Sequence, residues 1–290
     1  MILITGATGH LGKATIQFLL AKGYPANQIT ALVRDEQKGA EFQKDGIKIK
    51  VGDYNDFQSL AAAFEGADKV LLISGTDVAN RSKQQENVVN AAKAAGVKHI
   101  LYTSFERKNE TAESPMAFLA ESHLHTESLI KASGLDYTIL RNNLYLDALP
   151  LFIGDQFTEQ GVFFAAGDTA GAFASRLDMA EATANILSGE GHESKTYLLS
   201  NTENISFPEI AGILSELTGK KVAYVSPEPA VFLDNLVKAG VPQEYTGLIA
   251  GTADAIREGE FYTDQTDLDR LLGRKPTSAK EFLTGFYKTR

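Results

Sequence analysis

Residues 1–15 read MILITGATGHLGKAT. Residues 1–5 are a short apolar, β-branched run of the kind a buried parallel strand needs. Gly6, Gly9 and Gly12 follow at the spacing GxxGxxG, with Thr8, His10 and Leu11 between them, and an amphipathic run over residues 11–21 continues directly. The stretch is predicted as strand, tight glycine turn and helix. Gly6 lets the chain turn sharply off the strand, Gly9 removes a Cβ that would block a pyrophosphate, and Gly12 lets the helix pack close to the strand. The helix start then offers unpaired N–H groups and a positive dipole end to phosphates. Glycine triplets also occur in ordinary turns. Between an apolar strand and a helix, at the head of a βαβ pattern, this one points to a dinucleotide site.

Outward from that turn, strand and helix alternate through six rounds. Further strands are predicted at 29–33, 46–51, 68–73, 97–102 and 135–140. The helices between them are predicted at 36–44, 57–64 with Asp56 as N-cap, 80–95 closed by Gly96, and 115–132. Each strand is a continuous apolar run, as in a doubly wound parallel α/β sheet, Rossmann-like, with helices on both faces. Beyond Tyr145 the pattern loosens. Aromatics cluster at Phe152, Phe157, Phe163, Phe164 and Phe173. Asp178 is expected as the N-cap of a helix to 187, residues 195–199 as a strand, and Ser206-Phe207-Pro208-Glu209 as a helix N-terminus. A short strand at 222–225 and a mostly helical remainder follow. The division expected is 1–143 as the NAD(P)-binding domain and 144–290 as a smaller mixed α/β substrate lobe, with returns to the main sheet.

The bulk composition narrows the function. The chain has 290 residues, 43% hydrophobic and 22% charged, with a net charge of −9 and no cysteine. An acidic surface does not neutralise phosphates, which argues against nucleic acid and anionic membranes as partners. Thiolate catalysis, disulfides and cysteine-ligated metals are excluded. The chain enters a core strand at once, leaving no room for a signal peptide, and has no apolar run of the ~20 residues a membrane span needs. The cytoplasm is the expected location, and a homo-oligomer stays open.

Cofactor residues are expected at the carboxyl ends of the strands. Arg34 follows the second strand where an NAD-specific protein usually carries an acid, and its planar fork suits a 2′-phosphate. Asp35 stands one position later. NADPH is therefore the expected cofactor. Asp53 and Tyr54, after the third strand, are placed to flank the adenine; Ile73, Ser74 and Gly75, after the fourth, to approach the ribose and pyrophosphate; Thr103 and Ser104 form the exit of the fifth. Asn142 and Tyr145 follow the sixth strand on the substrate side, Tyr145 as the candidate for stacking on a flat acceptor. Ser175, Arg176 and Asp178 could bracket the pocket, and the aromatics from 152 to 173 could wall a hydrophobic slot. His123 and His125, two apart on a helix, share no face and make no metal pair; no metal is expected.

Together TGATGHLG (5–12), VRD (33–35), GDY (52–54), LLISG (71–75), AAKAAGVKHILYTS (91–104) and ESLIKASGLDYTILRNNLY (127–145) resemble the short-chain dehydrogenase/reductase superfamily, in its atypical NmrA-like branch. With GHESKTYLLS (191–200) and GVPQEYTGLIA (240–250), the likeness runs to NADPH-dependent quinone reductases of the quinone oxidoreductase 2 type and to triphenylmethane reductases. Most members of the superfamily carry Tyr-x-x-x-Lys on the helix before the sixth strand, as proton donor and its pKa-lowering partner. Those positions fall here on Leu119 and His123. Leu119 moves no proton, and a neutral His123 near the nicotinamide retains only the ability to hydrogen-bond a substrate oxygen. What remains is direct hydride delivery to a small, planar, electron-poor acceptor such as a quinone or a triarylmethyl cation. Two other readings share the glycine motif: an NmrA-like regulator that binds NADP(H) without turnover, and a sugar-nucleotide epimerase, which the missing tyrosine disfavours.

Overall fold

The computed structural model describes residues 1–288. Nine strands run through the described residues: β1 (Ile2–Ile4), β2 (Ile29–Val33), β3 (Lys48–Val51), β4 (Lys69–Leu72), β5 (His99–Phe105), β6 (Asp136–Asn142), β7 (Val162–Phe163), β8 (Lys195–Leu199) and β9 (Tyr224–Val225). The first six and β8 form one parallel sheet in the order β3-β2-β1-β4-β5-β6-β8. The strand order reverses between β1 and β4, so a crevice opens there above the carboxyl ends.

Between the strands run α1 (His10–Ala21), α2 (Ala40–Lys44), α3 (Phe57–Phe64), α4 (Arg81–Ala94) and α5 (Ala117–Ala132). Period-two alternation assigns the strand residues to two cores. Ile4, Leu71, Leu101 and Leu140 face a layer that holds Leu11, Ile16 and Leu19 of α1. Leu3, Val70, Leu72 and Ile100 face α3 and α4 through Leu60, Phe64, Val88 and Val89. All are buried; removing each such side chain from water contributes about 1.5–3 kcal/mol.

Beyond β6 come α6 (Leu149–Ile153), α7 (Phe157–Gln160), α8 (Arg176–Ser188), α9 (Phe207–Thr218), α10 (Pro229–Lys238), α11 (Gln243–Arg257), α12 (Leu268–Leu272) and α13 (Ala279–Lys288). Part of this half belongs to the main sheet: α8 packs along α1, and β8 pairs with β6 from Thr138–Lys195 to Asn142–Leu199. The rest is a lobe around the small parallel pair β7–β9. Its core is aromatic. Phe164 stacks against Phe152 and packs on Phe207, with ring centroids 4.7 Å apart in both pairs, and meets Phe232 edge-on at 5.3 Å.

Three expectations change. The aromatic run 152–173 is mainly core and not slot wall: Phe157, Phe164 and Phe173 are buried in the lobe, because rings this large are more stable packed on one another than lining water, although Phe173 also borders a cavity. Asp178 is not an N-cap. Ser175 caps α8 by accepting from the Leu177 N–H, while the buried Asp178 accepts from the Thr277 N–H at 2.6 Å and from Arg274 at 2.7 Å, tying the C-terminal segment to α8. Thr103 and Ser104 are not a loop: they lie inside β5, paired with Leu140 and Arg141. The caps at Asp56 and Ser206 form as expected, the latter as a complete capping box with Glu209.

Candidate active site

The glycine turn joins β1 to α1 by the shortest route. Gly6 adopts φ +58°, a left-handed conformation that a side chain disfavours, and the Gly9 N–H closes the turn on the Gly6 carbonyl at 2.9 Å. A Cβ on Gly12 would stand 2.4 Å from the Gly6 carbonyl oxygen and 2.9 Å from the Ala7 Cα, so helix and strand approach only because it is glycine. The start of α1 has no side-chain cap and no acidic residue in its first turn. By contrast α3, α8 and α9 are capped by Asp56, Ser175 and Ser206. Thr8, Gly9 and His10 are exposed around the uncapped N–H groups, whereas the Leu11 side chain is buried in the core and offers only its backbone.

The exit of β4 is held on several sides. The Ile73 N–H donates to the Thr5 hydroxyl at 3.0 Å, which itself donates to the Leu71 carbonyl at 2.9 Å. The Ser74 N–H donates to the Thr103 hydroxyl at 2.9 Å. Tyr54 reaches in from beyond β3; its hydroxyl contacts Thr5 and donates to the Ile73 carbonyl at 2.9 Å. Burial raises the Tyr54 pKa, so the phenol stays neutral. Tyr54 is thus a strap across the ends of β1, β3 and β4, with its ring 4.0 Å from the Cβ that Gly75 lacks. Asp53 is partly exposed and accepts from the Asn55 N–H and side-chain amide at 2.8 and 2.9 Å. Arg34 is exposed at the end of β2.

Thr103 and Ser104 point to opposite faces of β5, as neighbours in a strand must. Thr103 serves the β4 exit, while Ser104 donates to Glu127 of α5 at 2.6 Å. Glu127 is buried and also receives Arg141 at 2.7 Å and Arg107 at 3.3 Å. Burial pushes its carboxyl up, but the Arg141 and Ser104 hydrogen bonds outweigh that and hold it below the usual carboxylate range.

His123 departs from the expectation that it meets substrate. It is 4% exposed, with Nδ1 2.7 Å from the Tyr102 hydroxyl and Nε2 3.3 Å from the Arg81 guanidinium. Both ring nitrogens are therefore engaged by protein side chains. Burial, reinforced by the neighbouring Arg81 and Arg107 charges, lowers its pKa to about 3, so the ring is neutral. Leu119 is partly buried and packs against the aromatic lobe.

Asn142 and Tyr145 do come together: the Asn142 amide donates to the Tyr145 hydroxyl at 3.2 Å. The amide oxygen of Asn142 is buried without a hydrogen-bond partner. Arg176 lies over the Tyr145 ring, 5.0 Å from its centroid, and its backbone N–H donates to Asp147 at 2.9 Å. Sequence reasoning missed Arg81, Thr5 and Tyr102. Arg81 is buried at the start of a helix, RSKQQENVVNAAKA, whose first seven residues are all polar, so no periodicity singled it out. A cavity of about 300 Å³ lined by Phe173, Asn201, Ile205 and Glu209 shares no residue with the glycine turn or the ends of β2, β4 and β5.

An NmrA-like family model matches residues 1–285. The chain is 38% identical over 288 residues to quinone oxidoreductase 2 of Escherichia coli, covering 99% of each sequence. Among solved structures, the E. coli NADPH-dependent quinone oxidoreductase complexed with NADPH superposes with a TM-score of 0.93 at 36% identity, over 99% of this chain and 100% of that one. The triphenylmethane reductase of a Citrobacter species gives 0.90 at 40% identity, over 99% of both chains. With the glycine turn, the seven-stranded sheet and these matches over its length, the chain belongs to the NmrA-like family.

Proposed function

We propose that this protein is an NADPH-dependent reductase that passes hydride to a quinone or a similarly flat, electron-poor acceptor without a tyrosine–lysine relay. The observation that carries the reading is the uncapped, exposed start of α1 behind a glycine turn too tight for any side chain, with Arg34 at the neighbouring strand end. The residues present fit a dinucleotide. His10, Leu11 and Gly12 present backbone N–H groups to the pyrophosphate, Gly6, Thr8 and Gly9 form the turn that lets it approach, Arg34 takes the 2′-phosphate, and Asp53, Tyr54, Ile73, Ser74, Gly75 and Thr103 shape the crevice wall beyond them. Ser104 acts at one remove, through Glu127.

When bound, NADPH supplies a hydride. The chain's part is to hold the acceptor flat and to keep water and stray proton donors away. Tyr145 offers its ring face and hydroxyl, oriented by Asn142 and Arg176. His123, neutral and enclosed, offers no proton. A quinone accepts hydride readily because the product, a hydroquinone monoanion, is aromatic and stabilised; the single proton that completes the hydroquinone comes from solvent. The lobe around β7–β9 would cover the acceptor, while α8 and β8 stay with the main sheet.

The test is NADPH oxidation followed optically, once with a simple naphthoquinone and once with a cationic triarylmethane dye. Turnover of either supports the reductase. Tight NADP+ binding with no turnover of either would replace it with a redox-sensing regulator.

A further inference from the structure

Arg81 is the first residue of α4 and is 6% exposed. Its Nε–H donates to the Gly75 carbonyl at 2.7 Å, and one terminal nitrogen faces His123 Nε2 at 3.3 Å. A guanidinium has no lone pair to offer, so Nε2 must accept. The His123 proton then sits on Nδ1 and is donated to the Tyr102 hydroxyl. Every partner in this chain of contacts is uncharged. Among the described residues no carboxylate pairs with Arg81; Asp77, on the same loop, is exposed and directs its oxygens at Asn80 and Gln84. Arginine keeps its charge inside proteins, and an unpaired buried charge is costly. The fold therefore holds a positive charge directly beneath the exit of β4 with no carboxylate in contact, the exposed Asp77 acting on it only through space.

Its place beneath the β4 exit gives that charge a purpose. With the 2′-phosphate end at Arg34 on β2 and the pyrophosphate at the glycine turn after β1, an extended dinucleotide crosses the switch point and brings its nicotinamide half over β4 and β5. We propose that Arg81 is a specificity-determining charge for that half, making the site prefer the reduced, neutral nicotinamide over the oxidised, cationic ring. The inference rests on the NADPH reading above. Repulsion between a fixed cation and a pyridinium acts on only one of the two redox forms, whereas holding Gly75 in place serves both. The loop contact and the charge are thereby separable.

The experiment is equilibrium titration of NADPH and NADP+ on the same protein, by fluorescence and by dialysis. The parent is expected to bind NADPH at least about tenfold more tightly than NADP+. Arg81→Gln keeps a donor for the Gly75 carbonyl and removes the charge; its two affinities should come within about threefold of each other. Arg81→Lys keeps the charge and should retain most of the parent preference. A parent that binds neither form overturns the NADPH reading itself. A parent that binds both equally, or an Arg81→Gln variant that weakens both by the same factor, overturns the role of Arg81 while leaving the cofactor reading standing. The parent ratio needs no substitution, so a variant that folds poorly does not shelter the proposal.

Discussion

Arg34 and Tyr145 stand at opposite ends of the proposed ligand path, and each makes a claim that a single substitution tests. Arg34 is exposed, so changing it should leave the fold alone. Arg34→Glu replaces a charge-assisted contact to the 2′-phosphate by repulsion, and should weaken NADPH by roughly 10- to 100-fold with little effect on NADH. Parallel titrations of the two cofactors check it; equal loss for both would move the 2′-phosphate elsewhere. Tyr145→Ala should lower acceptor turnover by about tenfold or more while NADPH affinity stays within about twofold. A melting temperature that falls with it would assign Tyr145 to the core. His125 was separated from His123 by spacing alone, and the structure agrees: one is exposed, the other enclosed.

At the level of elements, the β1–α1 junction is the least tolerant part of the chain. Gly12→Ala forces a methyl group to within 2.4 Å of a backbone oxygen, and neither the strand nor the helix start can give way cheaply. A loss of about 1–3 kcal/mol of stability is expected, together with weakened NADPH binding, read by urea unfolding and titration. Asp178→Ala strips the Thr277 N–H and Arg274 of a buried acceptor and should cost about 2–4 kcal/mol. Proteolysis should then cut first near residue 277, where the C-terminal segment leaves α8. The alternation of strands and helices was legible because continuous apolar runs and glycine stops are local signals; the second strand and the Asp56 cap were placed to the residue. The ends of β5 and β6 were placed short, since polar Thr103, Ser104, Arg141 and Asn142 extend the strands by pairing with each other's neighbours, which no local pattern encodes.

For the whole molecule, acid should be more damaging than the composition implies. His123 has an ordinary pKa of 6.5 in the unfolded chain and about 3 in the fold, because burial and then Arg81 oppose its charge. Between those values the unfolded chain binds a proton that the folded chain refuses. Its contribution to stability is complete above pH 6.5 and drains away as pH falls towards 3, by up to about 1.4 kcal/mol per pH unit. His123→Gln, whose amide can replace both contacts, should flatten that limb in urea midpoints measured at pH 7 and pH 5. An unchanged slope would place the acid sensitivity in other groups. The site as a whole was legible where it depends on backbone, at the glycine turn and the strand ends. It was illegible where it depends on side chains from distant segments meeting, as Arg81, His123 and Tyr102 do.

One feature of the sheet bears on how the chain is made. The strand beside β6 is β8, pairing Thr138 with Lys195, and the face of α1 is covered by α8. The aromatic lobe draws on Phe105 and Met116 but also on Phe261 and Leu283. During synthesis from the N-terminus, therefore, the first six strands can assemble early, yet one face of α1 and the outer edge of β6 stay bare until residues 176–199 have emerged. The lobe waits longer still, until α13 arrives. Such a chain should expose apolar surface for much of its translation, so pausing or truncation between residues 143 and 199 is the step most prone to aggregation and most dependent on chaperones.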